Sequence, residues 1–172
     1  MEVPLTTDHL AVLSAFRRVK PAAGTRFYDA TIDALDELSR SKRDHKALLI
    51  VTDGADHYSN RTFRQLLRTA RLYGYPIGVI QFAGDDSRTW TESGRQEIAH
   101  ELEQLTAATG GELFNGGKAD EAVDQILKSI HHNYLISFYS TESSSEFSNV
   151  EIRIRNRPDL TVFQFAHCRG GL

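Results

Sequence analysis

The stretch KALLIVTDGADHYS, residues 46–59, gathers most of the candidate chemistry of this chain. An apolar run ends on Asp53, and Asp56, His57 and Ser59 follow in one short polar segment. A carboxylate at such a place can ligate a divalent cation, directly or through water, or serve as nucleophile or base. It can equally be a turn residue, because Asp-Gly suits tight turns and Asp bonds its own backbone. His57 beside two aspartates suggests metal or acid–base work. However, the other histidines do not supply zinc-site spacing, and no Ser or Cys nucleophile motif accompanies it. A solvated loop histidine is the plainer reading. Thr25, in AAGTRFYDA, offers a hydroxyl to a hard cation such as Mg²⁺, or caps the helix that follows. Asp29, in the next turn, would serve the helix dipole or a neighbouring amide. His131 and His132 are adjacent, so on a helix they diverge by about 100° and cannot chelate one ion together. Neither GxGxxG nor GxxxxGK[ST] occurs, which removes the common phosphate-cradling loops.

These residues need elements to hold them. Residues 46–52 form a short continuous apolar run, which reads as a strand buried on both faces. YPIGVIQF reads as a second such strand, and Leu113-Phe114 as a short edge strand. Helical spacing appears within residues 6–20, where Leu10, Val12, Leu13, Phe16 and Val19 recur, with Thr7 as cap and Asp8 in the first turn. A second helix follows Thr25, with Phe27, Ile32, Leu35 and Leu38 on its apolar face. Thr62 to Tyr73, closed by Gly74, is a third, and Gly94 to Thr109, closed by Gly110-Gly111, a fourth. A last helix spans residues 118–134. Alternation of strand and helix across residues 46–114 implies βαβ units, hence a parallel sheet with helices on both faces. In such sheets ligands gather beyond the carboxyl ends of the strands, and Asp53 stands there. From residue 133 onward the chain becomes β-rich. NYLISFYS, NVEIRIRN and LTVFQFAH read as antiparallel strands added to the sheet or beside it.

Composition narrows the classes. The chain has 172 residues, 40% hydrophobic and 25% charged, enough for one domain with a core. Net charge is −3 with the signs interspersed, so no basic stripe marks a nucleic-acid surface. Arg17, Arg18 and Lys20, and Arg61, Arg64, Arg68 and Arg71, read as solvated helix faces. No apolar run approaches the roughly 20 residues of a membrane helix, so no membrane insertion is expected. Cys168 stands alone, which excludes a disulfide within the chain and a cysteine-based zinc site.

Taken in order, GTRFYDA, KALLIVTDGADHYS, PIGVIQF and ELEQLTAATGGELF resemble the von Willebrand factor type A (VWA) domain. The family's Gly-Thr before a Tyr-Asp-Ala helix matches Gly24, Thr25, Tyr28, Asp29 and Ala30. Its Thr-Asp-Gly after an apolar strand matches Thr52, Asp53 and Gly54, and its late Thr-Gly-Gly matches Thr109, Gly110 and Gly111. NYLISFY and VEIRIRNRPDLTVFQF are similar to the C-terminal extension of a bacterial VWA subgroup. The resemblance implies a Rossmann-like α/β/α three-layer sandwich over residues 1–132, with a β extension over residues 133–172. It also implies a metal-ion-dependent adhesion site. There a divalent ion, usually Mg²⁺ with Mn²⁺ or Ca²⁺ as substitutes, would be held by Thr25 and Asp53. Gly24, Gly54, Asp56, His57 and Ser59 would form the rim, and a partner protein's carboxylate would complete the ion's coordination. That is ligation, not catalysis, so no enzyme is expected. The subgroup is often exported, which points to an extracytoplasmic setting, although no signal-peptide pattern follows Met1.

The family's Asp-x-Ser-x-Ser signature is missing from its place. Residues 1–24 have room for the end of one edge strand (Met1 to Leu5) and one helix. The chain is therefore expected to begin partway into the domain, with an incomplete metal site and with the Lys46 strand lacking a neighbour. Asp85-x-Ser87-x-Thr89 resembles the signature in composition but follows the wrong strand. Two other readings stay open. One is a metal-free assembly domain, a homo-oligomer or strand-swapped dimer whose missing strand comes from another chain. The other is a metal-dependent hydrolase using Asp53, Asp56 and His57, for which no nucleophile motif is present.

Overall fold

The computed structural model describes residues 3–20, 24–82, 91–131 and 154–156. Within them lie helix α1 (His9–Arg18), helix α2 (Phe27–Arg40), strand β1 (Leu48–Thr52), helix α3 (Phe63–Tyr73), strand β2 (Ile77–Gln81), helix α4 (Glu92–Ala107), strand β3 (Leu113–Asn115) and helix α5 (Ala119–His131). The Asp85–Thr89 triplet and, but for residues 154–156, the proposed extension over 133–172 lie outside the described residues.

The strands form a parallel sheet in the order β1-β2-β3, with Ile50 beside Val79 and Val79 beside Leu113. The chain is thus a mixed α/β protein built on a small parallel sheet, as the strand–helix alternation implies. Successive side chains of a strand point to opposite faces. Ile77 and Val79 enter a core with Phe27, Ile32 and Leu35 of α2, Leu66 and Ala70 of α3, and Leu102 and Leu105 of α4. Ile80 points the other way, into a smaller cluster with Phe114 and Ala122 of α5. Gly78 lies on that same side, where Ile126 occupies the space a side chain would need. Helices therefore cover both faces of β2.

Local chemistry sets the boundaries. Thr62 and Gln65 form a reciprocal capping box at the start of α3, and Gly74 ends that helix in the left-handed conformation with φ 64°. Thr109 is fully buried. Its hydroxyl donates to the Leu105 carbonyl at 3.0 Å and accepts from the Ile77 amide at 3.3 Å, tying the end of α4 to the start of β2. No described helix is long and apolar enough to cross a membrane.

Several expectations change. Asp8, not Thr7, caps α1, its carboxylate accepting from the amides of Leu10 and Ala11. Residues 3–7 form no strand. The apolar residues of α1 are not a buried face: Leu10 is 74% exposed, Phe16 75% and Leu13 55%. β1 is buried on one face only, since Leu48 and Ile50 pack on the main core while Leu49 is 36% and Val51 62% exposed. Among the described strands β1 stands at the end of the sheet, with β2 as its one neighbour.

Candidate functional site

The carboxyl end of β1, the start of α2 and the loop 53–61 meet at one rim of the sheet. The backbone carbonyl of Thr25 accepts from the amides of His57 at 2.9 Å and Tyr58 at 3.1 Å. Arg26 reaches the same loop, its Nε donating to the Tyr58 carbonyl at 2.9 Å. Thr25 and the residues after Asp53 therefore share an end of the sheet. Gly24 and Gly54 both adopt left-handed backbone, φ 85° and 90°. Gly54 is buried, and a side chain there would collide with Ile98 of α4, so the turn after Asp53 depends on glycine.

The oxygens of this rim divide into two groups. Asp56 is committed to the scaffold: Oδ1 accepts from the Tyr28 amide at 3.1 Å and from the Ser59 hydroxyl, and Oδ2 accepts from the Ser59 amide at 3.2 Å. Ser59 Oγ also accepts from the Asp29 amide at 3.1 Å. Asp29 returns the contact, accepting from the amides of Asn60 at 3.0 Å and Arg61 at 3.1 Å. These bonds, the Asn60 amide foremost, with Arg26 and Arg61 nearby, hold the Asp29 carboxyl below its usual range. Thus α2 is capped from the distant loop by Asp56 and Ser59. Its own N-cap position, Arg26, makes no side-chain capping bond, and Thr25 is not the cap. The second group is open. Half-buried Asp53 makes one bond, Oδ1 accepting from the Ala55 amide at 3.1 Å in an Asx turn, and the Thr25 hydroxyl makes none among the described residues. His57 is exposed, its ring 6.1 Å from that of Tyr58.

One feature was not legible beforehand. The Tyr28 hydroxyl donates to Glu101 Oε2 at 2.8 Å, joining α2 to α4 behind the loop. Burial raises the Glu101 pKa, and the charges of Glu97 and Asp56 add to the rise while the Tyr28 bond opposes it. Burial first, then the Glu101 bond, pushes the Tyr28 phenol upward too. The available signal is Glu101, which stands between Ile98 and Leu102 at helical spacing on α4, with Glu97 exposed one turn before it. Glu97, Glu101 and Asp56 thus act on one another through their charges, while Arg26 and Arg61 stand beside Asp29.

A hard cation takes oxygen ligands and keeps several waters, so the Asp53 carboxylate and the Thr25 hydroxyl are donors of the right chemical type for one. No cluster of three or more His, Cys, Asp or Glu residues able to hold a metal occurs among the described residues. Asp56 and Ser59, named above as rim residues, serve as helix caps. The distinction is measurable. Asp56→Ala, which strands three donors, is expected to lower unfolding free energy by about 1–2 kcal/mol in urea. Asp53→Ala, losing one Asx bond, is expected to cost less than about 1 kcal/mol in the same titration. Comparison with family models, curated proteins and solved structures finds no match to this chain.

Proposed function

We propose that the chain is a non-enzymatic protein-interaction module of the VWA type, whose contact point is a divalent-cation site at the carboxyl edge of β1. Asp53 would hold the ion, directly or through water, and Thr25 would add its hydroxyl. The cation would supply an open coordination position for a partner protein's carboxylate. One observation carries the reading: beside Asp56, Ser59 and Asp29, whose side-chain oxygens accept from backbone amides, the Asp53 carboxylate and the Thr25 hydroxyl keep unused bonding capacity. Capping of α2 by Asp56 and Ser59 would fix Thr25 against the loop, and Gly54 would let the chain turn beneath Asp53.

Calorimetric titration with Mg²⁺ and with Mn²⁺ tests this. Affinity on the order of millimolar or tighter, lost in Asp53→Ala, is the expected result. No heat from either ion, or equal heat from the variant, removes the reading. A second reading, a metal-free assembly domain that takes a strand from another chain, draws on the position of β1 at the end of the described sheet, where β2 is its one neighbour among the described strands.

A further inference from the structure

Arg61, Arg64, Arg68 and Arg71 run into and along α3, and the structure divides them. Arg61 is spent on α2: its guanidinium meets Asp33 at 2.7 Å and stands 3.9 Å from Asp29. Arg64, Arg68 and Arg71 are exposed, and their side chains make no hydrogen bond or ion pair among the described residues. At about 100° per residue they fall within about 60° of one another, on the side of α3 away from buried Leu66 and Ala70. Along the helix axis they stand about 6 Å and about 4.5 Å apart. α3 carries no Asp or Glu to neutralise them. Like charges at this spacing repel one another, and an anionic partner relieves the repulsion.

We propose that this row docks an acidic helix of a partner protein, whose carboxylates recur along one face at the spacing of the three guanidiniums. Side chains three and four apart on a helix stand about 5–6 Å from each other, which matches the row, and guanidinium takes carboxylate through paired N–H donors. Leu72 is 51% exposed one turn beyond Arg68, and it offers the apolar contact that a protein helix would cover. The width of the row argues for such a partner over a phosphate polymer or a lipid surface. It is one side chain wide and bordered by the uncharged Gln65 and Leu72. Exposed Asp33 stands on the neighbouring α2, and the chain as a whole carries a net charge of −3. A broad polyanion would be repelled by those charges, whereas a single helix needs the row alone. The proposal goes beyond the cation site and does not depend on it.

Fluorescence anisotropy of a labelled helical peptide tests it, the peptide being built on alanine and glutamine with glutamates at i, i+4 and i+7. The full chain is used in EDTA, so that the cation site takes no part. Saturable binding is expected, weakening several-fold between about 0.01 and about 0.15 M salt. Arg68→Glu should weaken it at least about tenfold, with circular dichroism unchanged because the position is exposed. Arg43→Glu makes the same change of charge at an exposed position before β1, and should stay within about twofold of the parent. Absence of binding overturns the proposal. So do equal losses from the two variants, or equal binding of a peptide with glutamine in place of the glutamates. A single-stranded oligonucleotide or an anionic phospholipid vesicle that binds more tightly than the peptide, and is released by Arg68→Glu, would assign the row to phosphate and overturn it as well. Finally, a dimer of the chain alone in sedimentation, dissolved by Arg68→Glu, would make a second copy the occupant and overturn the foreign partner.

Discussion

Gly111→Ala should leave the chain unfolded at ordinary temperature, or lower its stability by more than about 3 kcal/mol. A β-carbon at residue 111 would fall within the van der Waals radius of the Ile77 carbonyl oxygen and crowd the rest of that peptide group. The obstacle is backbone, so no side-chain rotation relieves it. Gly111 is also held in place, its amide donating to the Thr106 carbonyl at 3.0 Å, while the next residue's carbonyl accepts from the Val79 amide at 3.0 Å. Relief would require β3 to move off β2, breaking the register that pairs Val79 with Leu113 and Ile80 with Phe114. Gly94→Ala is the control. It lies in the first turns of α4, where an added methyl meets only the Thr91 hydroxyl at 3.4 Å. There alanine should be neutral or stabilising by up to about 1 kcal/mol, through helix propensity and a less disordered unfolded state. Urea denaturation of both variants checks the contrast, and similar midpoints would refute the close approach of residue 111 to β2.

Leu66→Ala is the second large effect, expected to cost about 2–5 kcal/mol. Leu66 is fully buried near the start of α3, in the cluster that joins α2, α4 and β2. Its removal deletes methyl groups and leaves a cavity among Leu35, Leu102 and Leu105. These cluster members belong to α2 and α4, so local collapse within α3 cannot fill the space cheaply. Leu72→Ala, on the same helix but 51% exposed, should change stability by less than about 0.5 kcal/mol. Chemical denaturation with unchanged m-values is the measurement. Equal losses at the two positions would mean that α3 does not face the core as described.

The fold was legible to the extent that local pattern determines it. Thr62, Gln65 and Gly74 announce α3 from both ends, and the continuous burial of β2 follows from PIGVIQF. β1 was misread for a physical reason. Five apolar residues in a row look the same whether both faces of the strand are covered or one, and here Leu49 and Val51 stay uncovered. The apolar spacing of α1 likewise predicts an amphipathic helix but not which side faces the domain. Caps behaved in the same way. Asp8 acts within its own helix, two or three residues from the amides it serves, and lies within reach of sequence reasoning. α2 takes its caps from Asp56 and Ser59, which are about thirty positions away in the chain. No local rule reveals that exchange, and it converts two candidate rim residues into scaffold. Asp53 is placed at the carboxyl edge by the βαβ pattern, whereas Thr25 is set beside it only by the VWA resemblance; the bonds from His57 and Tyr58 to the Thr25 carbonyl bring the two segments together. Thr109 and Gly111 explain in structural terms why a Thr-Gly-Gly sequence stands before β3: one hydroxyl and one missing side chain let α4 and β3 approach β2.

The proposed site requires Asp53 and Thr25 to face one cation at the carboxyl edge of β1. Amide-resolved NMR of the full chain with substoichiometric Mn²⁺ addresses it most directly. The paramagnetic ion should broaden the amide signals of Thr25 and of Asp53 to His57 first. Excess Mg²⁺ should restore them, and Asp53→Ala should abolish the effect. Broadening that instead spreads evenly over exposed carboxylates such as Asp33 and Glu92, or that survives Asp53→Ala unchanged, would contradict the account.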